Sequence, residues 1–194
     1  MKHQKKRKRL DWQWGHPFVF GVVIVRLLTA VSILIWPLWG TIASIIADYF
    51  DCFFLMQKMG YTRKMYHILD KNLDWACYIT EIIVSLRSPW WPLLSVLILW
   101  RLLGHALFLH SEKQWVFLVF GNYFEHAFIW LVAVPMTGLF SGLSPDTYWL
   151  IFWILMVAKV VQEAWLHMIW PSYLKSYGFP HIVKACGYHN VGYT

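Results

Sequence analysis

Four aspartates stand out in a largely apolar chain: Asp48 and Asp51, three residues apart, then Asp70 and Asp74, four apart. Each spacing puts both side chains on one face of a helix. Thr41 and Ser44 extend the first face, and His67 and Cys77 extend the second. On consecutive antiparallel helices, the four carboxylates would lie at similar depth on facing stripes. Carboxylates gathered in this way repel, and some must take up protons unless cations are present. Hard divalent ions such as Mg²⁺ and Mn²⁺ prefer all-oxygen ligands. Asp48, Asp51, Asp70 and Asp74 are therefore expected to hold Mg²⁺ or Mn²⁺. The alternative is a set of acids paired with Lys71, Arg63 and Lys64, or facing water at the helix ends.

The elements that must position these acids follow from composition. Of 194 residues, 59% are hydrophobic and 14% charged, against about 25% charged in a typical soluble domain. Mean hydropathy is +0.47. The 14 tryptophans suit the boundary between lipid and water. A spanning helix needs about 20 apolar residues, and six stretches qualify as candidates: 17–37, 39–58, 65–86, 90–110, 115–137 and 147–170. Pro and Gly punctuate their ends, as at Pro37, Gly60, Pro89 and Pro145. The reading is all-α: one six-helix transmembrane bundle over 17–170 with a polar cavity facing the cytoplasm. A basic segment (1–16) precedes it and a tail (171–194) follows. The first apolar stretch is about twenty residues long and lacks a small-residue cleavage site, so it reads as a retained helix and not a signal peptide.

Charge sets the expected orientation. Six of the 17 Lys and Arg residues are Lys2, Lys5, Lys6, Arg7, Lys8 and Arg9. Beside apolar helices such a run sets topology or touches anionic lipid, and nucleic acid is not the expected partner. With the N-terminus cytoplasmic, Lys58, Arg63, Lys64, Lys113, Lys175 and Lys184 share that side, and only Arg87 faces the other. Both termini are then cytoplasmic. Cys52, Cys77 and Cys186 have neither zinc-ligand spacing nor a disulfide pattern.

Asp48-x-x-Asp51 followed by Asp70-x-x-x-Asp74 resembles the signature of the CDP-alcohol phosphotransferases, D-x-x-D-G-x-x-A-R, a short spacer, then G-x-x-x-D-x-x-x-D. The motif covers 48–74, while chain length and the expected helices match the family over most of the sequence. Arg26-Leu27-Leu28-Thr29 is faintly similar to the family's N-terminal pattern. The resemblance implies transfer of a substituted phosphate from a CDP-linked donor to an alcohol, in phospholipid biosynthesis, by a homodimer. It implies that Asp48, Asp51 and Asp70 hold one or two divalent ions, with Asp74 near the second and acting as general base. Where the family has Gly, Ala, Arg and Gly around the nucleotide, this chain has Cys52, Leu55, Met56 and Tyr66. Glycine admits close backbone approach by a ligand, and methionine cannot pair with a phosphate.

Other ionisable residues fall inside the expected helices: Glu81, Arg101, His105, Asn122 with Glu125 and His126, and Lys159 with Glu163. Internal pairing, Lys159 with Glu163 and Arg101 with Glu125, is the favoured reading, since that is how membranes tolerate charge. The other reading lines a substrate cavity with them. His167, His181 and His189 read as interfacial. Three rival functions stand beside the transferase: a pseudoenzyme serving as membrane scaffold or lipid-binding subunit, an aspartate-dependent prenyltransferase, and an ion or proton carrier.

Overall fold

The computed structural model describes residues 17–52, 63–111 and 116–165, without the side chains of 52, 63–68 and 109. Every regular element among them is helical: α1 Pro17–Ile35, α2 Pro37–Cys52, α3 Arg63–Ser85, α4 Trp91–Ser111, α5 Val116–Val119, α6 Tyr123–Phe128, α7 Val134–Met136 and α8 Pro145–Ala164. A π turn, Ile129–Ala133, joins α6 to α7 without a break.

Four stretches are long and apolar enough to cross a membrane: Pro17–Ile35, Trp91–Phe108, Val116–Met136 and Pro145–Ala164. The other two expected spans are not among these. The described part of α2 has 16 residues, about 24 Å at 1.5 Å each, against a hydrocarbon core about 30 Å thick. α3 is long enough at 23 residues, but Arg63, Lys64, Asp70, Lys71, Asp74 and Glu81 interrupt its apolar surface. The fifth expected helix is broken between Val119 and Tyr123, where Gly121 bonds its carbonyl to Tyr123 N–H at 2.8 Å.

Packing explains the rest. Phe124, Ala127, Phe128 and Ala133 are wholly buried and share one apolar core with Ile33, Tyr78, Leu94 and Phe152. The edge of one ring meets the face of another where Tyr78 packs on Phe124, centroids 5.9 Å apart. α6 and its π turn are thus the centre of the molecule. α1 and α8 are peripheral and expose Phe20, Leu28, Val31, Leu150, Trp153 and Val157, a surface suited to lipid. In lipid, apolar burial drives helix association weakly, and close packing carries more of it.

Two local features set the frame around the aspartates. α1 passes into α2 almost continuously: Trp36 N–H donates to Ser32 O at 2.8 Å, and Gly40 N–H to Trp36 O at 2.7 Å. Pro37 suits the first turn of α2 because its missing N–H is an orphan there. A Cβ on Gly40 would lie 2.5 Å from Ile33 N, so only glycine lets the two helices close at this corner. At the other end of the chain, Ser144 caps α8, accepting from Thr147 N–H at 3.2 Å.

Candidate functional site

The expected polar stripes on α2 and α3 face each other. Thr41 Oγ1 donates to Glu81 Oε1 at 3.4 Å, and Ser44 Oγ lies 2.8 Å from Cys77 Sγ. One step further along, the aspartates meet. Oxygens of Asp48, Asp70 and Asp74 all lie within 4.8 Å of one another. Asp51 is outside that group of three but joins the same cluster through Arg26.

Arg26 is the residue the aspartate pattern did not single out. It comes from α1, is 2% exposed, and points between α2 and α3. Its Nη2 lies 2.6 Å from Asp74 Oδ1 and 3.0 Å from Asp48 Oδ1; its Nε lies 3.4 Å from Asp51 Oδ2. Nη1 donates to Ser44 O at 3.1 Å. A signal for it existed: Arg26 is the only charged residue of α1. A lone cation in an apolar helix needs acid partners from elsewhere, and the four aspartates are the largest supply.

Lys71 closes the other side, 2.7 Å from Asp70 Oδ2 and 2.8 Å from Asp74 Oδ2. The pairing with Lys71 that the sequence offered as an alternative is therefore present. The side chains of Arg63 and Lys64 lie outside the described residues, as does that of His67. Asp51 and Asp70 are buried, Asp74 nearly so, and Asp48 is 46% exposed.

The donor chemistry fits a divalent ion. Among the described side chains, four carboxylates face two cations, a formal charge of −2. Asp48 Oδ1 is buried and makes no hydrogen bond, although Arg26 Nη2 is near. Oxygens on opposite sides of Mg²⁺ lie about 4.2 Å apart, twice a bond of about 2.1 Å. Adjacent ligands would sit about 3 Å apart, so the three oxygens, within 4.8 Å of one another, would have to draw together to hold an ion.

The positions that the resemblance placed around a nucleotide have no described side chains. Leu55 and Met56 lie outside the described residues. Cys52 ends α2 and Tyr66 lies in the first turn of α3, but their side chains are outside the described set.

The deeper charges behave as two kinds. Lys159 Nζ lies 2.8 Å from Glu163 Oε1, the expected pair. The expected Arg101–Glu125 pair is not formed. Arg101 Nη1 instead donates to Phe120 O at 3.0 Å, and its guanidinium lies 5.0 Å over the Phe117 ring. The reason is the break after α5, which leaves carbonyls without helical partners. Glu125 Oε2 accepts from Asn122 Nδ2 at 2.8 Å. His167, His181, His189 and Cys186 lie outside the described residues. No protein-family model, curated protein or solved structure matches this chain.

Proposed function

We propose that the chain is a six-span membrane phosphotransferase, with both termini cytoplasmic, that moves a substituted phosphate from a CDP-linked lipid donor to an alcohol. The observation that carries this reading is the convergence of Asp48 of α2 with Asp70 and Asp74 of α3, their oxygens within 4.8 Å, in a chain with four apolar candidate spans. The resemblance of 48–74 to the CDP-alcohol phosphotransferases supplies the reaction. The four candidate spans support a membrane site, and α2 and α3 complete six if they span at the acid-bearing border.

Asp48, Asp70 and Asp74 would hold the divalent ion. When bound, it would neutralise the donor's pyrophosphate and the charge building on the departing CMP. Asp51 holds Arg26 through Nε, and Arg26 in turn fixes Asp48 and Asp74. Asp74 is proposed to take the proton of the acceptor hydroxyl as its oxygen bonds to phosphorus and the bond to CMP breaks. For this, one Asp74 oxygen must be free within hydrogen-bond reach. Arg26 is buried and holds Oδ1, so Oδ2 is the candidate. Lys71 is 26% exposed, and its flexible stem can carry the ammonium from Oδ2 to a phosphate oxygen. Cys52, Leu55, Met56 and Tyr66 would line the nucleotide side, with bulk where the family has glycine or alanine.

One observation favours a second reading. Arg26 and Lys71 already engage all four aspartates, so the cluster could be an ion-pair lock of α1, α2 and α3 in a non-catalytic membrane scaffold. Mn²⁺ binding by electron paramagnetic resonance separates the two. The transferase reading expects binding by wild type, weakened at least tenfold by Asp70→Asn, and CMP release from CDP-diacylglycerol with a suitable alcohol. Equal weak Mn²⁺ binding by both proteins would sink the metal site. Retention of CDP-diacylglycerol without CMP release would favour the scaffold.

A further inference from the structure

At the end of the molecule away from the aspartates lies a groove of about 580 Å³, within the roughly 300–1,000 Å³ typical of ligand sites. Leu34 of α1 and Val84 of α3 form one wall. Val132 of the π turn and Met136 of α7 form the other, and Arg87 and Trp90 stand in the turn after α3. From Asp74 to the end of α3 at Ser85 is about 16 Å by helical rise, so this groove is a separate place from the acid cluster.

Three features point to its occupant. The groove opens beside Leu34, Ile83 and Met136, all strongly exposed apolar side chains, as a site entered from lipid would. Arg87 is exposed at its rim, and its side chain has no ion pair or hydrogen bond among the described residues. The Ser88 hydroxyl accepts from Trp90 N–H at 3.2 Å, which leaves its own proton free to donate. The wall itself departs from regular helix: Leu131 and Val132 belong to the π turn, a feature frequent at functional positions, and Pro135 follows at once.

We infer that this groove binds an anionic phospholipid of the leaflet opposite the aspartates. One acyl chain lies between α1, α3 and the π turn. The headgroup phosphate rests on the Arg87 guanidinium and accepts from Ser88. Trp90, edge-on to Trp149 at 5.3 Å, marks the boundary depth that tryptophan favours.

Native mass spectrometry of the full chain in neutral detergent tests this, with phosphatidylglycerol and phosphatidylcholine of identical acyl chains as probes. Wild type should retain one phosphatidylglycerol in preference to phosphatidylcholine by about fivefold, the effect of one basic side chain on an anionic lipid. Arg87→Gln should remove the preference and keep phosphatidylcholine bound. Ile83→Trp, an exposed position at the rim, should fill the groove and weaken both. The basic segment Lys2–Arg9 is the same in all three proteins, so the differences report on the groove. Equal retention of the two lipids by wild type, or an unchanged preference in Arg87→Gln, would overturn the assignment. Neither outcome depends on the aspartates or on any transferase activity.

Discussion

The molecule holds two groups of buried charge, and they are built on different rules. In the α4–α8 half, Lys159 pairs with Glu163, and Arg101 donates to a backbone carbonyl while its guanidinium lies over an aromatic face. In the α1–α3 half, four acids face Arg26 and Lys71 among the described side chains. A balanced pair can stay buried as structure alone. An acid excess must recruit protons or cations, so imbalance separates a candidate site from a packing device better than burial does. Arg101 and Arg26 are both nearly inaccessible, yet only Arg26 touches carboxylates.

The largest expected effect comes from removing Arg26. Arg26→Met leaves Asp51 and Asp74 buried beside Asp48 with one cation fewer. Breaking a buried pair by deleting one partner typically costs 3–5 kcal/mol, and this change deletes the partner of three acids. Thermal unfolding in detergent should show a loss at least that large. Millimolar Mn²⁺ should restore part of it if the cluster binds divalent ions, because the formal charge of the site becomes more negative. Unfolding indistinguishable from wild type would contradict the role given to Arg26.

The balanced pair predicts a different pattern. Lys159→Met should cost about 3 kcal/mol by taking the cation from the carboxylate of Glu163, which is 5% exposed and also accepts from Asn122 N–H at 3.5 Å. Adding Glu163→Gln should recover most of it, since replacing both members of a buried pair with neutral groups is often nearly neutral. No such recovery is available in the acid cluster, where removing one acid still leaves three. A double variant as unstable as Lys159→Met would show that the Glu163 carboxylate matters as much to its other contacts, such as Asn122 N–H, as to Lys159, and the contrast between the halves would weaken.

How much of this could be read from sequence depends on what each residue needs. Helix periodicity placed Asp48 with Asp51 and Asp70 with Asp74, and the facing of Ser44 with Cys77 follows from the same spacing. Lys159 and Glu163 meet because i and i+4 always do on a helix. The Arg101 contact was not legible, because it depends on the break after Val119, which frees the Phe120 carbonyl. Apolar run length passed over that break: Gly121 and Asn122 sit in a stretch that is otherwise continuous. Arg26 is a tertiary contact 48 residues from Asp74, beyond the reach of any local pattern, although its isolation in α1 was a warning. The span count blurred at α3 because the residues that make the site polar also interrupt its apolar surface, and at α2 because its described part has 16 residues.

The smallest effect asks whether the two halves are independent. Gly40 lets α1 close on α2, where a Cβ would lie 2.5 Å from Ile33 N, and this corner aims Arg26 at Asp48. Gly104 plays the matching part for α4, where a Cβ would collide with the Phe120 side chain beside the carbonyl that Arg101 bonds. Each Gly→Ala change overpacks its contact, at about 1–3 kcal/mol. Gly40→Ala should also lower Mn²⁺ affinity several-fold, since pushing α2 off α1 carries Asp48 away from Asp70 and Asp74. Gly104→Ala should destabilise to a similar degree and leave that affinity unchanged. Equal loss of affinity in both variants would mean that Arg101 and the acid cluster move as one unit, and the two kinds of buried charge would then be parts of a single network.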